Sequence, residues 1–299
     1  MAAFFNYVEI KTKITSVFAF LMTLSFIFYM EQEIDLLKTS IFFAAMFLFD
    51  LTTTSINNYI DTRNNGKQLP FKRRNALAIT YLLFAVSAAL GIGLVILTDI
   101  IVLAAGGLCF LCGVFYTYGP IPISRQPWGE ILSGTFYGLL IPFIILYINM
   151  PSGYYLTLDL SLEAIGLQVQ VMPFIALLLI SVNPVCCTAN IMLANNVCDL
   201  ENDIKVKRYT LPYYLGSKAL KLFARIYYST YFATLIMAAA GIIHPICLLS
   251  ILTIIPVRKN IKIFQLKQEK ETTFIVSIKN YVLIMGAFTL TVFVSGLLS

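Results

Sequence analysis

The chain has 299 residues, 59% of them hydrophobic and only 12% charged, with a mean hydropathy of +0.83. A water-soluble globular protein is excluded, because many apolar runs approach the ~20 residues that cross a ~30 Å hydrocarbon layer, and one soluble core has no use for them. The formal charge of +6 is no evidence for nucleic acid, because the placement of the basic residues gives it another cause.

Taken in chain order, the apolar runs predict roughly nine spans, at 14–31, 37–60, 75–97, 100–118, 129–149, 172–198, 219–241, 243–257 and 278–298. The expected fold is all-α, a polytopic membrane bundle forming a single integral-membrane domain over 1–299. The first run lacks a small-residue cleavage pattern and is read as a retained span. The eighth, about 15 residues long, tilts or continues through the basic stretch 257–264. With the N-terminus on the inner, cytoplasmic side, Lys38 is the one residue among the 21 Lys and Arg that falls outside. That asymmetry follows the positive-inside rule and accounts for the net charge as topology in a cell membrane, with the lipid bilayer as partner and no nucleic acid. Cys109 and Cys112 form a C-x-x-C in mid-span and are read, like Cys186, Cys187, Cys198 and Cys247, as small buried hydrophobes. His244, the single histidine, is read as a turn residue.

Three inner segments concentrate side chains that cost free energy near hydrocarbon, which makes them functional candidates. In SINNYIDTRNNGKQLPFKRRN (55–75), a helix extending the second span sets Asn57 and Asp61 on one face, with Thr54 and Asp50 continuing the stripe inward. Arg63, Lys67, Lys72, Arg73 and Arg74 follow. In FYTYGPIPISRQPWGEILSG (115–134), Gly and Pro interrupt the chain between spans, and Tyr116, Tyr118, Arg125 and Glu130 are its polar members, with Trp128 as an interfacial anchor. In ANNVCDLENDIKVKRYTLPYYLG (194–216), Asn195, Asp199 and Asp203 fall at i, i+4 and i+8, Glu201 points away, and Lys205, Lys207 and Arg208 come next.

Two helix ends with oxygen donors at helical spacing, each followed by a basic loop, suit a diphosphate held through Mg²⁺. That ion takes hard oxygen ligands and uses one or two protein carboxylates while phosphates and water complete its shell. Lys and Arg hold the remaining phosphate charge, and the apolar interior has room for a lipid tail. Glu130 and Asp50 are candidates for handling protons.

The residues NNYID (57–61) and NNVCDLEND (195–203) resemble the two aspartate-rich motifs, N-D-x-x-D and D-x-x-x-D, of the UbiA superfamily of intramembrane aromatic prenyltransferases. ANNVCDLENDIKVKRYTL and YTYGPIPI (116–123) are similar to the branch that prenylates 1,4-dihydroxy-2-naphthoate in menaquinone synthesis. The resemblance covers nearly the whole chain. It implies a polytopic helical bundle and a Mg²⁺-dependent transfer from polyprenyl diphosphate to the naphthoate, with loss of CO₂, giving a demethylmenaquinone. It implies Asn57, Asp61, Asp199 and Asp203 as metal ligands. Tyr116 is placed by it near the reacting carbons as a catalytic group with Asp61, Asp199 and Asp203. Substrate contacts are implied at Asn57, Asn58, Arg63, Lys67, Arg74, Tyr118, Asn195, Asn196, Arg208 and Lys11. The chain departs from the family pattern at Asn58, usually Asp, at Asn65 and Lys67, one of which stands where a further acid is usual, and at Lys207, usually Gly. Amide oxygens bring no charge to a metal, so Arg63, Lys67 and Arg74 take a larger share of the phosphate. Two other readings stay open: prenyl transfer to another aromatic acceptor such as 4-hydroxybenzoate or a tetrapyrrole, and a lipid or small-molecule transporter.

Overall fold

The structure, a computed structural model, describes residues 2–62, 68–119 and 122–298, the side chain of Asp61 excepted. Its chain divides into two compact units, one of Met1–Val17 and Asp35–Ser124, the other of Phe18–Ile34 and Arg125–Ser299. In order, the elements are α1 (Ile14–Tyr29), α2 (Leu36–Asp61), α3 (Arg73–Ile96), α4 (Ile100–Thr117), α5 (Gly129–Asn149), β1 (Leu156–Leu160), β2 (Ile165–Val169), α6 (Val171–Cys198), α7 (Leu200–Lys205), α8 (Lys218–Ala239), α9 (Ile254–Leu266) and α10 (Ile275–Gly296). Short turns of helix at Ala2–Tyr7 and Ile10–Lys13 precede α1, and another at Leu211–Leu215 precedes α8.

Among the described residues seven helices are long and apolar enough to cross a membrane, so the expected all-helical membrane fold holds while the expected count of nine is approximate. Helix α8 has the length, but Lys218, Lys221 and Arg225 in its first turns dilute its hydropathy. The eighth predicted run is a 3₁₀ helix, Pro245–Thr253, that passes directly into α9 and so continues through the basic stretch. His244 stands at its start, where the ring Nδ1 accepts from Ile246 N at 3.2 Å, in keeping with a turn residue. One departure from an all-helical chain is the β1–β2 hairpin between α5 and α6. Its register pairs Leu156 with Val169, Leu158 with Leu167 and Leu160 with Ile165, so strict alternation puts every apolar side chain on one face.

The first unit is organised by α2 and α3, and its N-terminal segment is fastened by Tyr7. The phenol is 1% exposed and its oxygen lies 3.1 Å from Ser55 O and 2.9 Å from Thr80 Oγ1. Six residues later Lys13 is buried against α2, donating to Asp50 Oδ1 at 2.8 Å and to Asp50 O at 2.9 Å, while Ser16 donates to Asp50 Oδ2 at 2.7 Å. A carboxylate inside an apolar span is tolerable only with such partners.

In the second unit α6 is the central helix, packed by α5, α8 and α10. Its buried amides act as polar ties, Asn190 Nδ2 donating to Phe223 O on α8 at 2.9 Å and Asn183 Nδ2 to Thr234 Oγ1 at 3.4 Å. Pro184 lies inside α6 and removes one rung of its ladder. Against that site α5 widens to a π turn at Phe136–Leu140, and two glycines one turn apart bring the backbones together. A β-carbon at Gly138 would sit 2.5 Å from Val185 Cα and 2.6 Å from Pro184 C, and one at Gly134 only 2.8 Å from Val185 O. Backbone cannot yield as a side-chain tip can. Gly138→Ala is therefore expected to cost on the order of 3 kcal/mol, read as a large loss of thermal stability in detergent, whereas Gly286→Ala, whose added carbon meets Phe18 at an ordinary 3.8 Å, leaves the protein intact.

Candidate functional site

Each aspartate-bearing motif lies within one of the two units. In the first, α2 runs unbroken to Asp61, so the predicted stripe of Asp50, Thr54, Asn57 and Asp61 does fall on one helix. Its inner half is occupied by structure: Lys13 and Ser16 hold Asp50, and Lys13 Nζ also reaches Thr54 Oγ1. Asp50, one of the two candidates for handling protons, is thereby a partner in a buried ion pair. Asn57 lies farther out, its Oδ1 accepting from Thr117 Oγ1 at 3.3 Å, which ties the motif to the end of α4 beside Tyr116. Asn58 donates to Tyr7 O at 2.8 Å and Glu9 Oε1 at 3.2 Å, so its amide fastens the N-terminal segment to α2. It also borders a cleft of about 360 Å³ with Glu9, Thr62 and Gln68. Arg73, which the motif reading passed over, lies 4.4 Å over the Tyr59 ring and donates to Tyr59 O at 2.8 Å, leaving Arg74 exposed on the first turn of α3. Lys11 is exposed, Tyr116 half-buried and Tyr118 exposed. The Asp61 side chain, Arg63 and Lys67 lie outside the described residues.

In the second unit the motif straddles a helix break. Helix α6 ends at Cys198 and α7 begins at Leu200, with Asp199 between them at φ −94°, ψ 2°. The ladder nevertheless crosses the break: Asp199 N donates to Asn195 O at 3.0 Å and Asp203 N to Asp199 O at 2.8 Å. The i, i+4, i+8 spacing predicted for one face thus survives. Beyond α7 the chain closes in a Schellman turn, with Arg208 N on Asp203 O at 2.8 Å and Lys207 N on Ile204 O at 3.0 Å. Lys207 takes φ +57°, a left-handed conformation that favours glycine. This turn folds Arg208 back until its Nη1 is 3.7 Å from Asp203 Oδ1.

The electrostatics of the two aspartates differ. Asp203 is buried, with Oδ2 lacking a hydrogen-bond partner, and burial pushes its carboxyl above the usual range against the opposing pull of Arg208, with the nearby Asp199 charge adding to the rise. Asp199 is more open, and its Oδ2 accepts from Lys270 Nζ at 2.6 Å; the same ammonium holds Asn195 Oδ1. Asn196 points the other way, into the core, and donates to Glu130 Oε1 at 2.9 Å. Glu130 is 3% exposed and its Oε2 is unpartnered, so the pair locks the start of α5 to the end of α6.

Sequence reasoning missed Lys13 and Lys270. Lys270 is 71 residues from Asp199 in a charged run, KQEKE, that carries no local signature, and Lys13 differs from Lys11 only by the turn of a 3₁₀ helix. A divalent ion fits the donors of this unit: two carboxylates and an amide oxygen, one carboxylate oxygen already buried and unpaired. Among the described residues no three His, Cys, Asp or Glu side chains gather into a metal site, so such an ion would depend on phosphate and water for its other ligands.

Residues 17–295 match the profile described as the UbiA prenyltransferase family. The 1,4-dihydroxy-2-naphthoate octaprenyltransferase of Bacillus subtilis (strain 168) is 29% identical over 134 residues, 44% of this chain and 37% of that protein's length, so the match spans well under half of the relative. Among solved structures, a digeranylgeranylglyceryl phosphate synthase superposes with a TM-score of 0.67 at 16% identity, covering 100% of this chain and 99% of the other. A UbiA homologue from Archaeoglobus fulgidus bound to DMAPP and Mg²⁺ gives 0.60 at 14% identity, covering 99% of both chains. An apo UbiA homologue from Aeropyrum pernix K1 gives 0.63 at 15%, covering 91% of this chain and 97% of the other. These structural likenesses establish the fold.

The left-handed Lys207 makes a direct prediction. Lys207→Gly is expected to be more stable than Lys207→Ala by about 1 kcal/mol, since only glycine adopts that conformation without cost, and paired thermal melts of the two variants in one detergent check it.

Proposed function

We infer that this chain, which belongs to the UbiA prenyltransferase family, transfers a polyprenyl group from a polyprenyl diphosphate to 1,4-dihydroxy-2-naphthoate, with loss of CO₂, giving the demethylmenaquinone skeleton. One observation carries the site: a hydrogen-bond ladder that crosses a helix break keeps Asn195, Asp199 and Asp203 in helical register, and the turn after it returns Arg208 to Asp203. The naphthoate is supported by the YTYGPIPI segment and by the name of the Bacillus subtilis relative.

Within this reading, Asp199, Asp203 and Asn195 supply oxygens to Mg²⁺ and Arg208 binds a terminal phosphate oxygen. Asn57 and Asp61 are assigned to the same substrate by family resemblance alone. The bound ion, when present, neutralises the diphosphate as it leaves with the electron pair of the broken C–O bond. The chain's own groups position that leaving group: Arg208 is held in place by the Schellman turn, and the Glu130–Asn196 pair fixes where α6 ends. By family resemblance alone, Tyr116, half-buried at the end of α4, is assigned the role of offering a π face to the allylic cation that departure leaves behind. Attack by an electron-rich naphthoate carbon would then form the new C–C bond, and the ring's C–CO₂⁻ bond would break with loss of CO₂, its electron pair restoring the aromatic ring, so that the product leaves as the hydroquinone, which oxygen in the assay oxidises to the quinone.

The test is mass spectrometry of products from purified protein given a defined polyprenyl diphosphate, with 1,4-dihydroxy-2-naphthoate and 4-hydroxybenzoate offered as competing acceptors. Prenylated naphthoquinone that requires Mg²⁺ is expected. Asp199→Asn and Asp203→Asn are each expected to lower its formation at least ~10²-fold. Undiminished product in both variants and in EDTA removes the metal assignment, and preference for hydroxybenzoate removes the acceptor. Asp203→Asn carries a second readout. Because folding raises the Asp203 pKa, the wild type loses stability as pH climbs through that value, and a neutral amide does not. The variant should therefore match or exceed the wild-type melting temperature at neutral pH, with the difference vanishing in acid.

A further inference from the structure

The Lys270 ammonium sits on the two oxygens that the proposed function gives to a metal. Its Nζ lies 2.6 Å from Asp199 Oδ2 and also bonds Asn195 Oδ1, the two residues one helical turn apart at the end of α6. Lys270 is delivered there by a built turn between α9 and α10. Thr273 Oγ1 accepts from Glu269 N at 2.8 Å, and Thr273 N and Phe274 N both donate to Glu269 O at 3.0 Å. Gln268 Nε2 ties the turn back to Phe264 O at 2.6 Å, and the Phe274 ring lies 5.1 Å from the Lys270 ammonium. The backbone at 268–274 is thus fixed while the four-carbon stem of Lys270, 44% exposed, remains able to swing.

An ammonium and a divalent cation compete for the same oxygens, since like charges ~4 Å apart repel and each weakens the other's hold. We propose that Lys270 is a positioning residue that closes the Asp199–Asn195 pair in the metal-free protein, yields those oxygens to the divalent ion, and then faces the diphosphate that arrives with it. This rests on the metal-site reading above. It follows that Lys270 opposes the metal alone and favours the metal with its anion. A lysine that merely braced the 268–274 turn would not produce effects of opposite sign.

The experiment measures Mn²⁺ binding by loss of the free-ion EPR signal, on the full-length protein in detergent without prenyl donor, and then the binding of inorganic pyrophosphate at saturating Mn²⁺. Lys270→Met is expected to bind Mn²⁺ about three- to tenfold more tightly than wild type, the range set by removing one half-exposed ion pair and its repulsion. The same variant should bind Mn²⁺-pyrophosphate about three- to tenfold more weakly, and Lys270→Arg should restore both values toward wild type. In an Asp199→Asn background, Lys270→Met should tighten Mn²⁺ binding by less than it does in the wild-type background, since only the Asn195 contact and the bare repulsion are then left to remove. Thermal melts in EDTA establish that the variants are folded. Measurable Mn²⁺ binding that Lys270→Met fails to tighten, or pyrophosphate binding that it fails to weaken, overturns the role of Lys270 alone. Absence of Mn²⁺ binding in wild type and variant alike overturns the metal-site reading beneath it.

Discussion

The backbone ladder from Asn195 through Asp199 to Asp203 is the constraint on which the proposed site in the second unit depends. A helix that stopped at Cys198 without those two bonds would release Asp203 from the face that carries Asn195 and Asp199. Because Asp199 N and Asp203 N still find carbonyls four residues back, the break bends the chain without rotating the motif out of register. The Schellman turn then uses the same short helix as a lever, its bond from Arg208 N to Asp203 O setting a guanidinium beside the carboxylate of the residue that caps it. That geometry is retained although Lys207 takes a conformation that favours glycine, so local strain is accepted where the functional side chains are placed.

Charge in this chain is scarce, and the structure uses it in two distinct ways. Lys13 and Asp50 are 4% and 5% exposed, mutually paired and further satisfied by Ser16 and Thr54, an arrangement in which removing either partner strands the other in an apolar span. The motif of the second unit is left less complete. Asp203 keeps an unpartnered oxygen and a raised pKa, and Asp199 is held by a half-exposed lysine. A fully satisfied network would rigidify the core but leave no oxygen for a ligand. Glu130 and Asn196 stand between these cases, paired to each other yet each with one orphan oxygen, at the junction that fixes α5 on α6.

Hydropathy made most of the helical spans legible because a span must satisfy its backbone internally and its composition must match lipid over a known length. The count blurred where that rule weakens. Helix α8 opens with three basic residues, and the eighth run begins as 3₁₀ helix before α9 takes it into basic sequence. The β1–β2 hairpin is faint in the sequence although its Leu and Ile residues alternate with period two, because a strand of five residues is a weak signal beside spans of twenty.

What the sequence determined by itself is what spacing along one helix can determine: that Asn57 shares a helix face with Asp50 and Thr54, that Asn195, Asp199 and Asp203 lie in register, and that basic residues follow each set. Only the tertiary structure decided which partners those groups have. Lys13 rather than Lys11 reaches Asp50, Asn58 binds the N-terminal segment, Asn196 turns inward to Glu130, and Lys270 crosses from the α9–α10 turn to Asp199. The physical reason is that helical periodicity fixes the direction of a side chain relative to its own axis, while the neighbour it meets depends on how separate helices pack, and here close approaches such as Gly138 on Val185 set that packing.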